Sequence, residues 1–110
     1  MGIFNLFRGF DINKGVKECN STKGAYLVDV RTVEEYREGH IPNSINIELQ
    51  DIFVDDSVIA ENIQDKSAPI YLYCHSGNRS GQAEMIFKYY GYVNAKNIGG
   101  IEDYMGKLEM

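Results

Sequence analysis

Ile70-Tyr71-Leu72-Tyr73-Cys74-His75-Ser76-Gly77-Asn78-Arg79-Ser80 is an apolar run that ends on a cysteine and passes through a short glycine-containing loop into a helical pattern. A cysteine at a strand end, just ahead of a loop and a helix start, is placed for anion chemistry. The first N–H groups of a helix have no intrahelical acceptor, and with the loop amides they can turn back toward the sulfur. Such a field favours thiolate over thiol. The plain alternative is a buried strand cysteine that happens to precede a turn. Packing alone, however, gives no use to an arginine and a helix start at this spacing. Gly77 lets the loop curl without a Cβ clash.

Outward from this stretch, strand and helix signals alternate. Downstream, Ala83, Ile86, Phe87 and Tyr90 recur at i, i+3, i+4 and i+7, the stripe of a packed helix over about 80–90, and Gly91 stops it. Val93 to Ile98 reads as a last strand, Gly99-Gly100 as a tight turn, and Ile101 to Lys107 as a closing helix. Upstream, Ala25-Tyr26-Leu27-Val28-Asp29-Val30 is the continuous apolar strand of a sheet covered on both faces. Thr32-Val33-Glu34-Glu35 is a capping box. The helix it opens ends at Gly39, and His40-Ile41-Pro42-Asn43 is a turn. Ser44 to Ile47 is a brief strand, and Glu48 to Gln64 is helical but broken near Asp55-Asp56-Ser57. Nearer the start, Phe10-Asp11-Ile12 is a weak strand and Asn13 caps a helix over 14–20. Strands separated by helices imply right-handed crossovers, a parallel sheet and helices on both faces. Ligands of such sheets bind at the C-terminal strand ends, where Cys74 stands.

A chain of 110 residues is one domain with its own core, read here as residues 10–110 behind a 1–9 N-terminal segment. Net charge is −5 and there is no basic run, so nothing recommends nucleic acid as a partner. The apolar stretches are too short to span a membrane. The opening Met1-Gly2-Ile3-Phe4-Asn5-Leu6-Phe7-Arg8 lacks a signal peptide's long apolar region, and Leu6 stands where a myristoylation motif wants Ser or Thr. Its apolar residues form a docked terminal segment or a contact patch, and cytoplasm is the default location.

Two cysteines make no disulfide framework, and their spacing fits no zinc pattern. No metal or organic cofactor is implied. Cys19, in a short helix, is structural filler, or a resolving thiol if the fold brings it near Cys74.

Asp29-Val30-Arg31, Glu35-Tyr36, Gly39-His40-Ile41-Pro42, Tyr73-Cys74 with Gly77 and Arg79-Ser80, and Gly99-Gly100 together resemble the rhodanese-like domain family, of the single-domain sulfurtransferase type. The resemblance runs from about residue 10 to the C-terminus. It implies an α/β domain with a five-stranded parallel sheet in order 1-5-4-2-3. It also implies sulfane sulfur transfer from thiosulfate or a low-molecular-weight persulfide, through a Cys74 persulfide, to a thiol or cyanide acceptor. A protein sulfur donor or acceptor is a further possible partner. By the same resemblance Cys74 is the nucleophile. The loop His75, Ser76, Gly77, Asn78 and Ser80 binds the transferred sulfur, and Arg79 meets the sulfite-like end of the donor or braces the loop. Asp29, Arg31 and His40 form a polar network tying the strand exit to the 39–42 turn, and Glu35 serves the capping box. Two departures are visible: Tyr104 stands near a place where the family often has tryptophan, and Asn43 replaces a glycine but tolerates left-handed angles.

Two other readings share this fold. A Cdc25-type phosphatase or arsenate reductase places five residues between cysteine and arginine. Here there are four, His75, Ser76, Gly77 and Asn78, a tighter ring that suits one sulfur atom. A persulfide carrier or interaction module working with a protein partner differs in nothing the loop itself displays.

Overall fold

The computed structural model describes residues 9–110, and the expectations for Met1–Arg8 lie outside the described residues. Helix α1 spans Ile12–Asn20 and is followed by strand β1, Tyr26–Asp29. Helix α2 covers Val33–Glu38, strand β2 Ser44–Asn46, and two short helices follow, α3 at Leu49–Ile52 and α4 at Ser57–Asn62. Strand β3 is Ile70–Cys74, helix α5 Asn78–Tyr89 and strand β4 Ala95–Gly100, with a single 3-10 turn at Ile101–Asp103. Among the described residues the sheet has four parallel strands in the order β2-β1-β3-β4. This α/β layering is the class expected, and the four strands keep the expected neighbours.

The fifth strand is absent from the described residues, because Asp11 rather than Asn13 caps α1. The Asp11 carboxylate accepts the Asn13 and Lys14 N–H groups at 3.1 and 3.3 Å, which draws Ile12 into the first helical turn. Asn13 instead ties the far end of the chain: its Nδ2 donates to the Asp103 carbonyl and its Oδ1 accepts the Met105 N–H. That tether also explains why no closing helix forms over 101–107. The chain is pulled onto α1 after one 3-10 turn, then Glu109 exchanges two backbone hydrogen bonds with His40. The break expected near Asp55 is present between α3 and α4, where the Asp55 carboxylate takes both the N–H and the hydroxyl of Ser57. The Thr32 capping box is present as read.

Side chains of β3 alternate between two cores. Ile70, Leu72 and Cys74 pack with Val28, Ile52, Phe87 and Tyr92 on one face, beneath α3, α4 and α5. Tyr71 and Tyr73 pack with Ile12, Val16, Cys19 and Ile41 on the other, beneath α1. Ala83 and Phe87 of the expected α5 stripe are fully buried, and Ile86 and Tyr90 partly so. Complete burial of a side chain like Phe87 contributes about 2 kcal/mol. Cys19 and Cys74 therefore stand on opposite faces of the sheet, and the resolving-thiol reading of Cys19 is set aside.

Gly99-Gly100 is not a turn. Both residues belong to β4, and the register against β3 slips so that Tyr73 faces Gly99 and Cys74 faces Gly100. The slip is a bulge. Gly99 sits in it at φ +113°, in the left-handed region that favours glycine.

Candidate active site

Cys74 is the last residue of β3, at the C-terminal edge of the sheet, and only 1% of its surface is exposed. The chain leaves it through His75 and Ser76 and enters α5 at Gly77, whose φ of +105° turns the loop back over the sulfur. The Gly77 N–H donates to Cys74 Sγ at 3.0 Å, and the Ser80 hydroxyl lies 3.3 Å from the same atom. The N–H groups of Asn78, Arg79 and Ser80 precede the first α5 bond, from Gly81 N–H to the Gly77 carbonyl, and stand at the positive end of the helix. One backbone amide and one hydroxyl are thus turned onto the sulfur.

The loop lies flat on the end of β4. A Cβ on Gly100 would come within 2.2 Å of the His75 carbonyl oxygen and 2.5 Å of Ser76 Cα, so only glycine admits this approach. The Glu102 N–H donates to the His75 carbonyl from the 3-10 turn. Asn97, buried in β4, is the second brace. Its Nδ2 donates to the Gly77 carbonyl at 3.0 Å, while its Oδ1 accepts the Ser80 hydroxyl at 2.7 Å and the Gly99 N–H at 2.9 Å. The sequence reading missed Asn97. Its signal was available: a strand that alternates outward Lys96 with inward Ala95 and Asn97 buries an amide, and a buried amide demands partners.

The remaining expected site residues lie on the loop and the first turn of α5. His75 is exposed, with Nε2 3.5 Å from Glu102 Oε1, and Asn78 is exposed at the head of α5. Ser76 is partly exposed on the loop. Arg79 points across to α2, where Nη1 and Nη2 grip Glu35 Oε1 and Oε2 at 2.7 and 3.1 Å. That forked pair was not legible, because its partners lie 44 residues apart in the chain. It holds the Glu35 carboxyl down at about 2, with the Thr32 N–H assisting, and it raises the affinity of Arg79 for its proton. Cys74 and Asp29 add smaller favourable charge interactions to Arg79.

Of the expected structural network, Asp29 and Arg31 tie the strand exit to the turn at Gly39, whereas His40 stands apart from that pair. Arg31 donates from Nε and Nη2 to the buried Asp29 carboxylate and from Nη2 to the Gly39 carbonyl at 2.6 Å. His40 stacks on Tyr36 at 3.8 Å and its Nδ1 lies 2.9 Å from the Tyr36 carbonyl. Asn43 adopts φ +72°, as its tolerance of that region allows. Tyr73 completes the join: its hydroxyl accepts the Ile41 N–H and contacts Ser44 Oγ, each at 3.1 Å. Burial and the nearby Asp29 charge push that phenol well above its usual range.

Two depressions flank the Glu35–Arg79 pair. One, of about 370 Å³, is lined by Arg31, Glu35, Glu38, His75, Ile101 and Leu108. The other, of about 160 Å³, is lined by Val30, Glu48, Leu49, Phe53 and Arg79. A third depression, of about 510 Å³ over α1 and β4, is lined by Lys14, Lys96 and Asn97, and none of these three depressions has Cys74 in its lining. Among the described residues no group of three or more His, Cys, Asp and Glu is placed to hold a metal ion. Nor is any helix there long and apolar enough to cross a membrane.

Known proteins resemble the chain in sequence and in fold. The thiosulfate sulfurtransferase PspE of Escherichia coli is 37% identical over 78 residues, which cover 71% of this chain and 72% of that one. A Bacillus subtilis protein described as a putative sulfur carrier, YrkF, is 33% identical over 94 residues, 84% of this chain, and this chain spans about half (48%) of its length. A solved E. coli structure described as a rhodanese with anions superposes with a TM-score of 0.69 at 33% identity, covering 77% of this chain and 96% of that one. The model of the rhodanese-like domain matches residues 13–107, and the chain belongs to that family of sulfurtransferases.

Proposed function

We propose that the protein is a sulfurtransferase that carries sulfane sulfur on Cys74. The observation that supports this most directly is Cys74 Sγ at a strand end with the Gly77 N–H and the Ser80 hydroxyl turned onto it. In the first step the Cys74 thiolate attacks the outer sulfur of thiosulfate or of a persulfide. The donor's S–S bond breaks, and its electron pair leaves on sulfite or on the donor thiolate. The new outer sulfur on Cys74 is anionic, and the α5 N-terminus and loop amides stabilise that charge. In the second step an acceptor thiolate or cyanide attacks the outer sulfur, and the Cys74 thiolate departs, restored. His75, Ser76, Gly77, Asn78 and Ser80 form the cradle in this reading, and Arg79 bounds its mouth. The cytoplasm, with its thiol acceptors, suits this chemistry.

The relation to a protein described as a putative sulfur carrier favours a second reading, in which the Cys74 persulfide is handed to a protein thiol. Four residues between Cys74 and Arg79 continue to argue against a phosphatase.

Incubation with thiosulfate or with cysteine hydropersulfide should leave the protein one sulfur atom heavier, with the addition mapped to Cys74 and absent from Cys74→Ser. Cys19 is an internal control. Burial and the neighbouring Glu18 push its thiol up to about 11, so it stays protonated and unreactive at neutral pH. Sulfur found on Cys19, or on neither cysteine, would remove the assignment.

A further inference from the structure

Thiosulfate is a dianion whose sulfonate end offers a pair of oxygens to a forked guanidinium. The fork nearest Cys74 is already filled. Arg79 holds both Glu35 oxygens, and Glu35 cannot swing aside freely, because Oε1 also accepts the Thr32 N–H at 3.0 Å and the Thr32 hydroxyl at 3.1 Å. Release of Glu35 from its place would open the N-terminus of α2. The next cation, Arg31, is committed to Asp29 and to the Gly39 carbonyl, and His75 faces Glu102. Both guanidinium groups and the His75 ring therefore already face acceptors of the chain itself. The two depressions beside the Glu35–Arg79 pair add Glu38 on one side and Glu48 on the other, together with apolar walls from Leu108, Leu49 and Phe53.

We propose that Glu35 is a specificity-determining residue: by occupying Arg79 it turns the site away from inorganic dianions and toward organic hydropersulfides, R–S–SH, whose uncharged or cationic body rests on those walls. The proposal depends on Cys74 being the sulfur-accepting nucleophile. The transfer balances without any other reactant. The Cys74 thiolate attacks the outer sulfur of R–S–SH, the donor S–S bond breaks, and its electron pair leaves as R–S⁻. Cys74 becomes Cys–S–SH, which can lose its proton to solvent. Repulsion by Glu35, Glu38 and Glu48 opposes a dianionic donor more than an uncharged one.

The test compares kcat/KM for thiosulfate and for cysteine hydropersulfide in the wild type, Glu35→Gln, Arg79→Gln and the double variant. The wild type should prefer the hydropersulfide. Glutamine is also accepted in a capping box, so Glu35→Gln should keep α2 while loosening its hold on the fork. The thiosulfate-to-hydropersulfide ratio should then rise on the order of tenfold, mainly through a lower KM for thiosulfate. In the Arg79→Gln background the same change at Glu35 should move the ratio by less than about twofold, which a loss of α2 stability alone would not produce. If Glu35→Gln unfolds, Glu35→Asp, which keeps the charge but shortens its reach to Arg79, should raise the ratio in the same direction. A wild type that prefers thiosulfate, or a ratio unmoved in the folded Glu35 variants, would overturn the proposal and leave sulfur transfer standing. Loading of Cys74 from neither donor would overturn both.

Discussion

The Ser80 hydroxyl lies between two acceptors, 2.7 Å from Asn97 Oδ1 and 3.3 Å from Cys74 Sγ, and it has one proton to give. With Cys74 as a thiol, the S–H can point to Ser80 while Ser80 donates to Asn97. With Cys74 as a thiolate, the hydroxyl turns to the sulfur. Asn97 Oδ1 is not left bare by the switch, because the Gly99 N–H remains on it. Ser80→Ala removes the charge-assisted bond, of roughly 1.5–3 kcal/mol, so sulfur loading of Cys74 should slow by about ten- to a hundredfold. Asn97→Ala also frees the Gly77 carbonyl and should cost about 2–4 kcal/mol in urea unfolding. Loading of Ser80→Ala at the wild-type rate, followed by mass spectrometry, would show the hydroxyl to be a bystander.

Two glycines near the site should respond to alanine with opposite signs. At Gly100 the added Cβ meets backbone atoms of His75 and Ser76 at 2.2 and 2.5 Å, and backbone cannot rotate away. Gly100→Ala should cost roughly 1–3 kcal/mol and displace the cysteine loop, with activity falling further than stability. At Gly81, inside α5, the nearest atom is Asn97 Nδ2 at 3.5 Å, an ordinary contact. Gly81→Ala should therefore raise stability by about 0.5–1 kcal/mol through helix propensity. Thermal unfolding of the two variants side by side checks both signs.

The Glu35–Arg79 pair should leave a mark on acid stability. The Glu35 carboxyl moves from 4.5 to about 2 in the folded protein, chiefly through Arg79. A depressed carboxylate contributes stability above its unfolded value and loses it as the pH falls through the folded one. The window is thus about pH 4.5 down to 2. With about a third of each side chain exposed, screening trims the effect to about 1 kcal/mol or less. Unfolding free energies measured across that window should fall more steeply in the wild type than in Glu35→Gln. Parallel curves would count against the pair.

Features decided by adjacent residues were legible in the sequence. Thr32 and Glu35 stand three apart, and the capping box is there. The β3 run and the loop after it were read from consecutive residues, and the parallel sheet from alternation along the chain. The misreadings arose where two nearby residues compete for one role, as Asp11 and Asn13 do for the cap of α1. They arose also where a distant contact decides the outcome, as Asn13 does by holding Asp103 and Met105 out of a helix. Gly99-Gly100 shows the same limit. Two glycines suggest a turn locally, but here they are needed by a loop about 25 positions earlier that must lie against β4. Of the site, Cys74, Gly77 and Ser80 were visible in one stretch. Glu35 and Asn97 reach it only after the chain has folded, and no local pattern links them to Cys74.

The seat of the cysteine loop is made by residues that follow it in the chain. Cys74 pairs with Gly100, the Gly77 carbonyl with the Asn97 amide, and the His75 carbonyl with the Glu102 N–H. A ribosome therefore releases the thiol before it releases the strand that organises it. A nascent chain with residues 74–80 outside the exit tunnel and 95–102 still within it has an ordinary cysteine in an unanchored segment. Cys74 and the braced form of its loop come together only when β4 docks. The loop's geometry is in this way bound to the emergence of β4, and a nascent chain that lacks it has no built site around Cys74.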